Sequence, residues 1–201
     1  MALSSRIKRI IENRIGADIE IIGTKIIEHT VSSEMKKHGA SDLLEYEKQL
    51  YTDPAVYDSF LEEIVVPKTW FFRNRDAFLY LKDSIVPEWE KTGRKVMKLL
   101  SVPCSTGEEA FSLAATLFEA GLRSDQFHID AMDISRNAIE TTEAAVYPKS
   151  KTFIEEVAFS GKYIFERDDH YSVDDRLKKQ IRFSHINLLD VSEITDHSYD
   201  V

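Results

Sequence analysis

Two glutamates, Glu108 and Glu109, follow Gly107 in the stretch SVPCSTGEEAFSLAATL, residues 101–117. The apolar run ahead of them reads as a strand and the pattern behind them as a helix, so both carboxylates fall where a strand turns into a helix. A third acid, Asp133, ends a second apolar run, FHIDAMD, over 127–133. In an open α/β sheet, ligands bind beyond the carboxyl ends of the strands, where the first turn offers free backbone N–H groups. A phosphate cradle fits poorly. The turn holds only Gly107 where the G-x-G-x-x-G fingerprint needs three glycines, and the glutamates would face an anionic pyrophosphate. Carboxylates there suit a cationic or amine-bearing ligand, and Asp133 stands where an acid accepts from ribose hydroxyls. A ligand with a ribose, a positive centre and no phosphate is a short list headed by S-adenosylmethionine. Two plainer accounts stay open at this point. Glutamates in a first helical turn complement the helix dipole by a few tenths of a kcal/mol, and Asp133 is placed to cap a helix that starts near Ser135.

The elements that must position these acids are legible as patterns. Isoleucines at helical spacing predict helices over 6–15 and 24–37, the second stopping at Gly39. Ser41, with Glu45 nearby, opens a third helix in capping-box fashion. Asp53-Pro54 begins a fourth that runs to about Val66, and Pro67 ends it. The run RNRDAFLYLKDSIVPEW makes a fifth, ended or interrupted near Pro87. From Gly93 the character changes. Strands are expected over 95–102, 127–133 and 181–189, and helices over 107–121 and 135–147, the latter capped by Ser135. Short helices and a small hairpin fill 148–180. Strands alternating with helices of this length predict an α/β fold with a mainly parallel sheet behind an all-α segment. The boundaries are a helical domain over 1–67, a linker and connecting helix over 68–93, and the sheet domain over 94–201. Three strands make a thin sheet, and HSYDV reads as a further strand just beginning, so the chain is expected to be cut short within this domain. The exposed edge of the third strand invites a dimer through sheet pairing.

Composition narrows the classes. The chain has 201 residues, 43% of them apolar and 30% charged, as in ordinary globular proteins, and it carries a net charge of −9. That charge offers no basic field for nucleic acid or an anionic membrane. No apolar run approaches the roughly 20 residues that span a bilayer, and the N-terminus lacks the apolar core of a secretory signal. A single cysteine, Cys104, cannot form an internal disulfide and fits a reducing compartment, so a cytoplasmic location is expected. No base is argued beside Cys104, which reads as a small filler. The six histidines show no metal spacing.

Four segments, in order, resemble the chemotaxis receptor methyltransferases (CheR-type). TWFFRNRDAF (69–78) is similar to the family's T-x-F-F-R signature, and CSTGEEAFSLA (104–114) to its modified glycine loop. AMDISRNAIETTEAAVY (131–147) resembles its second strand, ribose acid and following helix. FSHINLLD (183–190) resembles the strand whose Asn-Leu pair borders the adenine. The resemblance covers 5–201 and implies a Rossmann-like class I methyltransferase domain, partial here, that uses S-adenosylmethionine to methylate glutamate carboxylates of chemotaxis receptor proteins. It implies that Thr69 and Arg73 reach the cofactor from the linker, with Arg73 also near the transferred methyl as the catalytic residue. Glu109 would hold the cofactor's amino group, Asp133 its ribose, and Asn187 and Leu188 its adenine. Phe71 and Phe72 read as packing.

The departures bear on that expectation. Pro67 replaces an asparagine that touches the cofactor in many members, and Pro103 removes one N–H from the loop. The stretch EHTVSSEMKKHG (28–39), where the family carries an arginine-rich receptor-binding helix, has Lys36 and Lys37 but no arginine. A competing expectation is therefore a non-catalytic binding or signalling module with a degenerate cofactor domain. A nicotinamide oxidoreductase is disfavoured by the missing glycine fingerprint. The 201-residue chain is expected to bind cofactor weakly or not at all and to be inactive by itself.

Overall fold

The computed structural model describes residues 3–65, 68–190 and 199–201. Contacts divide the chain into two units, Met1–Val66 with Asn187–Val191, and Pro67–Ile186 with Ser192–Val201. The helix stop and lost cofactor contact expected at Pro67 lie outside the described residues. Among the described residues no helix is long and apolar enough to cross a membrane.

The first unit carries α1 (Ser5–Ile10), which runs on as a π turn over Ile11–Ile15, then α2 (Ile19–Ile22), α3 (Thr24–Lys37), α4 (Leu43–Thr52) and α5 (Pro54–Ile64). The isoleucines that set the helical spacing are the ones shielded from water: Ile7, Ile10, Ile11 and Ile27 are fully buried, together with Tyr46 and Phe60. Two details depart from the sequence reading. The short α2, capped by Asp18, is an additional element. The cap of α4 is Asp42 and not Ser41. Asp42 accepts from the Glu45 N–H at 2.9 Å, while the Glu45 carboxylate reaches back to the Ser41 N–H and hydroxyl at 2.7 and 2.6 Å. A capping box needs a spacing of three residues, which Asp42 has and Ser41 lacks.

The second unit opens with α6 (Arg75–Tyr80), a π turn over Leu81–Ile85, and α7 (Val86–Lys91). The helix expected to be ended or interrupted near Pro87 is interrupted by the π turn and continues to Lys91. Proline has no N–H for the i−4 ladder, and the π turn ahead of it changes the bonding register where that bond would fall. The sheet follows: β1 (Met97–Ser101), α8 (Glu108–Glu119), β2 (Phe127–Asp133) and α9 (Arg136–Ala144). Next come β3 (Val146–Pro148), β4 (Ile164–Glu166), β5 (His170–Val173), α10 (Asp175–Lys178) and β6 (Ile181–His185). Strands β1, β2 and β6 pair in parallel in that order, with Met97 opposite Phe127 and Asp133 opposite His185. One face of the sheet is apolar, with Met97, Leu99, Ile129 and Ala131 fully buried, whereas the other carries Lys98, His128, Asp130 and Arg182.

Three strand and helix ends differ from expectation. α9 stops at Ala144 and not at residue 147, because Ala145 turns left-handed (φ 49°) and the next residues pair as β3. That pairing gives the stretch after it three antiparallel strands, in the order β3-β5-β4, where a hairpin was expected. β6 ends at His185, four residues early, with a 3₁₀ turn over Leu188–Asp190 beyond it. The strand expected at the end of HSYDV has a counterpart. The Asp200 N–H donates to the Lys98 carbonyl at 2.7 Å, and the Leu100 N–H donates to the Val201 carbonyl at 2.9 Å, along the β1 edge away from β2. The order thus runs outward from β1 in one direction through β2 and β6, and in the other through 199–201. The strand order reverses at β1, so the carboxyl end of β1 is the switch point where this architecture forms its crevice.

Candidate active site

The turn between β1 and α8 occupies that switch point. Ser101, the last residue of β1, donates its hydroxyl to Glu109 Oε1 at 2.8 Å and so holds this exposed carboxylate over the strand end. Glu108 points the other way and is buried, accepting from the Thr106 hydroxyl at 2.6 Å. Burial raises its pKa, against the lowering effect of the Thr106 bond. Asp133 ends β2 and takes two backbone donors, the Ser105 N–H at 2.7 Å and the Ser135 N–H at 2.9 Å. It therefore ties the β1–α8 loop to the start of α9. Capping falls instead to Ser135, whose hydroxyl accepts from the Ala138 N–H at 3.0 Å. Among the described residues these two donors leave roughly two of the carboxylate's four acceptor positions.

Gly107 is required twice over. Its φ is +91°, and a Cβ there would lie 2.7 Å from Thr142 Cγ2 on α9. The loop thus presses on α9 with no room for a side chain. From the other side, Tyr147 of β3, fully enclosed, donates its hydroxyl to the Thr106 carbonyl at 2.7 Å. Its ring meets Phe71 edge-on at 5.0 Å. Burial first, then the charge of Glu108, raises the Tyr147 pKa, so this hydroxyl stays a donor.

The segment carrying Thr69 and Arg73 is fixed to the same helix. The Phe72 N–H donates to the Ser112 hydroxyl at 2.9 Å, and that hydroxyl donates to the Glu108 carbonyl at 2.6 Å. Phe71 and Phe72 are both fully buried, as the packing role requires. Neighbouring residues of an extended chain face opposite ways, and the left-handed Phe72 (φ 59°) redirects its ring onto Phe78 and Phe159 at 5.6 and 5.5 Å. Arg73 is exposed. Its guanidinium donates to the Lys68 carbonyl at 2.7 Å and lies 4.8 Å from the centre of the Trp70 ring.

The structure therefore gathers Glu109 and Asp133 at one loop and fixes the Thr69–Arg73 segment to α8. It gives Arg73 no bond to either acid among the described residues. Asn187 falls with the first unit: its amide donates to the Arg14 carbonyl at 2.7 Å, and its oxygen accepts from the Leu189 N–H at 3.0 Å. Leu188 is partly exposed there. Sequence reasoning passed over Ser101, Ser105, Ser112, Thr142 and Tyr147. Only Ser101, a hydroxyl at a strand end beside the acidic turn, carried a signal that could have flagged it.

The electrostatics are one-sided. Among the described residues, no lysine, arginine or histidine forms an ion pair with Glu108, Glu109 or Asp133. Burial, then Asp133 and with it Glu109 and Glu108, push the Cys104 thiol up to about 12, so it is a neutral filler and not a nucleophile. Ser105 Oγ is buried in the loop without a hydrogen-bond partner among the described residues. This donor set suits a ligand with a positive centre and hydroxyls, and disfavours a phosphate.

Residues 67–201 match the family model described as CheR methyltransferase, SAM binding domain. A protein of Pseudomonas aeruginosa named "Probable biofilm formation methyltransferase WspC" is 32% identical over 189 residues, covering 94% of this chain and 45% of that protein. A namesake in Pseudomonas putida is 33% identical over 186 residues, covering 92% and 44%. A "Chemotaxis protein methyltransferase" of Borreliella burgdorferi is 26% identical over 196 residues, covering 92% and 69%. The chain spans less than half the length of the two WspC proteins. The cofactor of such a domain is S-adenosylmethionine.

Proposed function

This chain belongs to the CheR methyltransferase family, and from that premise we propose that it is an S-adenosylmethionine-dependent protein-glutamate O-methyltransferase acting on a chemotaxis receptor or related signalling protein. The observation that carries the reading is the set of three carboxylates at the switch point, Glu108, Glu109 and Asp133, with no basic partner among the described residues. In this reading Glu109, oriented by Ser101, holds the cofactor's amino group, and Asp133 holds its ribose. Thr69 and Arg73 approach from the linker, and by the family resemblance Asn187 and Leu188 line the adenine. The division into a helical domain (1–67), a linker (68–93) and a cofactor domain (94–201) belongs to the same reading, supported by the family match that begins at residue 67.

S-adenosylmethionine, when bound, supplies a methyl group activated on a sulfonium. The rest is positioning. A glutamate side chain, with a reference pKa of about 4.3, is already ionised near neutral pH and needs no base. The chain's task is to align acceptor and cofactor and to exclude water from both charges. Arg73 orients the acceptor and donates no proton. The names of the relatives, one in biofilm formation and one in chemotaxis, support an acceptor among signalling proteins. A non-catalytic docking module is the second reading. It is favoured by Lys37, one of the two lysines of the arginine-poor stretch 28–39, which is already tied to Glu34 and Ser59 at 3.2 and 2.6 Å.

The test is transfer of labelled methyl from S-adenosylmethionine to receptor preparations by the full-length protein. Base-labile label, released as methanol, identifies a carboxyl methyl ester. Glu109→Gln is expected to weaken S-adenosylhomocysteine binding about ten-fold or more, as loss of a charge-assisted bond does. No label at saturating cofactor refutes catalysis and leaves the docking module. Unchanged affinity in Glu109→Gln refutes the acidic site.

A further inference from the structure

Arg73, unlike the hydrogen-bonded Glu109 and Asp133, is held by an aromatic ring. Its guanidinium lies over the Trp70 ring at 4.8 Å and spends one donor on the Lys68 carbonyl at 2.7 Å. Guanidinium has five N–H donors. Arg73 is exposed and, among the described residues, has no carboxylate partner, so most of that fork remains open. Trp70 is itself fixed. Its indole N–H faces Glu155 Oε2 at 3.4 Å, and its ring meets Phe153 edge-on at 6.4 Å. The segment 153–155 is in turn hydrogen-bonded to Phe71 on both sides, through the Phe71 N–H to the Phe153 carbonyl at 3.2 Å and the Glu155 N–H to the Phe71 carbonyl at 2.9 Å. Phe153 is largely exposed. A rigid aromatic shelf therefore presents a cation on the surface of a chain whose net charge is −9.

We propose that Trp70 is the positioning residue for Arg73, and that the Trp70–Phe153 shelf with the Arg73 fork is the surface that receives the acceptor's carboxylate on an acidic protein segment. This rests on the reading of Arg73 as the acceptor-orienting group. The chemistry favours an acidic occupant over a cationic or neutral one. A planar fork pairs bidentately with a carboxylate. A carboxylate entering a site emptied of water would drift toward its protonated, non-nucleophilic form, and a neighbouring guanidinium opposes that drift. Trp70 holds the fork flat and limits its rotation, which a lysine or a free arginine would not provide.

The test separates this inference from the function itself. Of the chain's two tryptophans, Trp89 is buried, so Trp89→Phe leaves Trp70 as the sole emitter of the 201-residue chain. A synthetic glutamate-rich amphipathic peptide is expected to change that emission without cofactor, its glutamine counterpart is not, and Arg73→Ala abolishes the change. In the full-length protein, Trp70→Ala is expected to raise KM for the acceptor about three- to ten-fold, from loss of the cation–π contact and of orientation. Expected alongside are a kcat within two-fold, unchanged S-adenosylhomocysteine affinity, and recovery of most of the loss by Trp70→Phe. Equal loss in the Ala and Phe variants, or a parallel fall in S-adenosylhomocysteine affinity, overturns the positioning role. A chain that transfers methyl but does not discriminate the two peptides overturns the inference while the proposed function stands. A chain that discriminates the peptides but transfers no methyl sinks the proposed function and keeps the shelf as an acidic-segment site.

Discussion

Replacing Gly107 with alanine is the sharpest perturbation the structure offers, because two separable costs meet at one atom. The first is conformational. At φ +91° an alanine sits in the left-handed region, which costs about 1–2 kcal/mol. The second is steric. The new Cβ would lie 2.7 Å from Thr142 Cγ2, 3.1 Å from Thr142 Cβ and 3.3 Å from Phe111 Cε2. Thr142 is β-branched, nearly fully buried, and donates its hydroxyl to the Ile139 carbonyl at 2.6 Å, so it cannot swing aside. Overpacking of that kind costs about 1–3 kcal/mol, which puts the total for Gly107→Ala at about 2–5 kcal/mol. Thr142→Ser removes the clashing methyl and keeps the hydroxyl, at a cost of about 0.8 kcal/mol for one buried carbon. In that background, Gly107→Ala should cost little beyond its conformational term, leaving a coupling of about 1–3 kcal/mol. Urea denaturation of the four proteins gives the cycle, read from midpoints at a common m value. A coupling below about 0.5 kcal/mol, the ordinary error of additivity, refutes the packing account of the glycine.

Three further outcomes are expected. Tyr147→Phe removes the 2.7 Å bond that the enclosed hydroxyl donates to the partly buried Thr106 carbonyl, lowering stability by about 0.5–1.5 kcal/mol in the same assay. An unchanged midpoint would show that the tyrosine does not anchor the loop. Glu108 has its pKa raised by burial, so the folded protein binds its proton more tightly than the unfolded chain does. Its ionisation therefore subtracts stability as the pH climbs above the ordinary value of 4.5. The stability difference between Glu108→Gln and the parent should shift in favour of the variant from pH 4 to pH 8, and a flat difference contradicts this. Asp130 has the opposite sign. Burial raises its pKa, but the Tyr199 hydroxyl at 3.0 Å, Arg182 at 2.8 Å and His128 at 3.1 Å outweigh it and leave the group below its usual 3.8. Its contribution is complete above pH 3.8 and lost as the pH falls through the lowered value. Asp130→Asn should flatten the acid limb of the stability profile measured by circular dichroism.

The sequence by itself determined what is local. The helical spacing of Ile7, Ile10 and Ile11, the proline opening of α5, the Ser135 cap, and the bounds of β2 follow from periodicity and capping chemistry that act within a few residues. So does the placing of Glu108, Glu109 and Asp133 at strand ends, from which a cationic nucleoside ligand was read. Even locally, a shift of one residue moved the α4 cap to Asp42, because capping depends on an exact spacing. Tertiary structure alone decided which partners these groups take. Ser105 and Asp133 meet across 28 positions, Tyr147 and Thr106 across 41, and Trp70 and Glu155 across 85. Nothing in a local pattern records such pairs, since each depends on where the whole chain brings two surfaces together. The same applies to Thr142 against Gly107, to Arg73 laid on Trp70, and to the Asn187 amide donating to the Arg14 carbonyl. Residue type fixed what chemistry was on offer, and packing fixed where each group points.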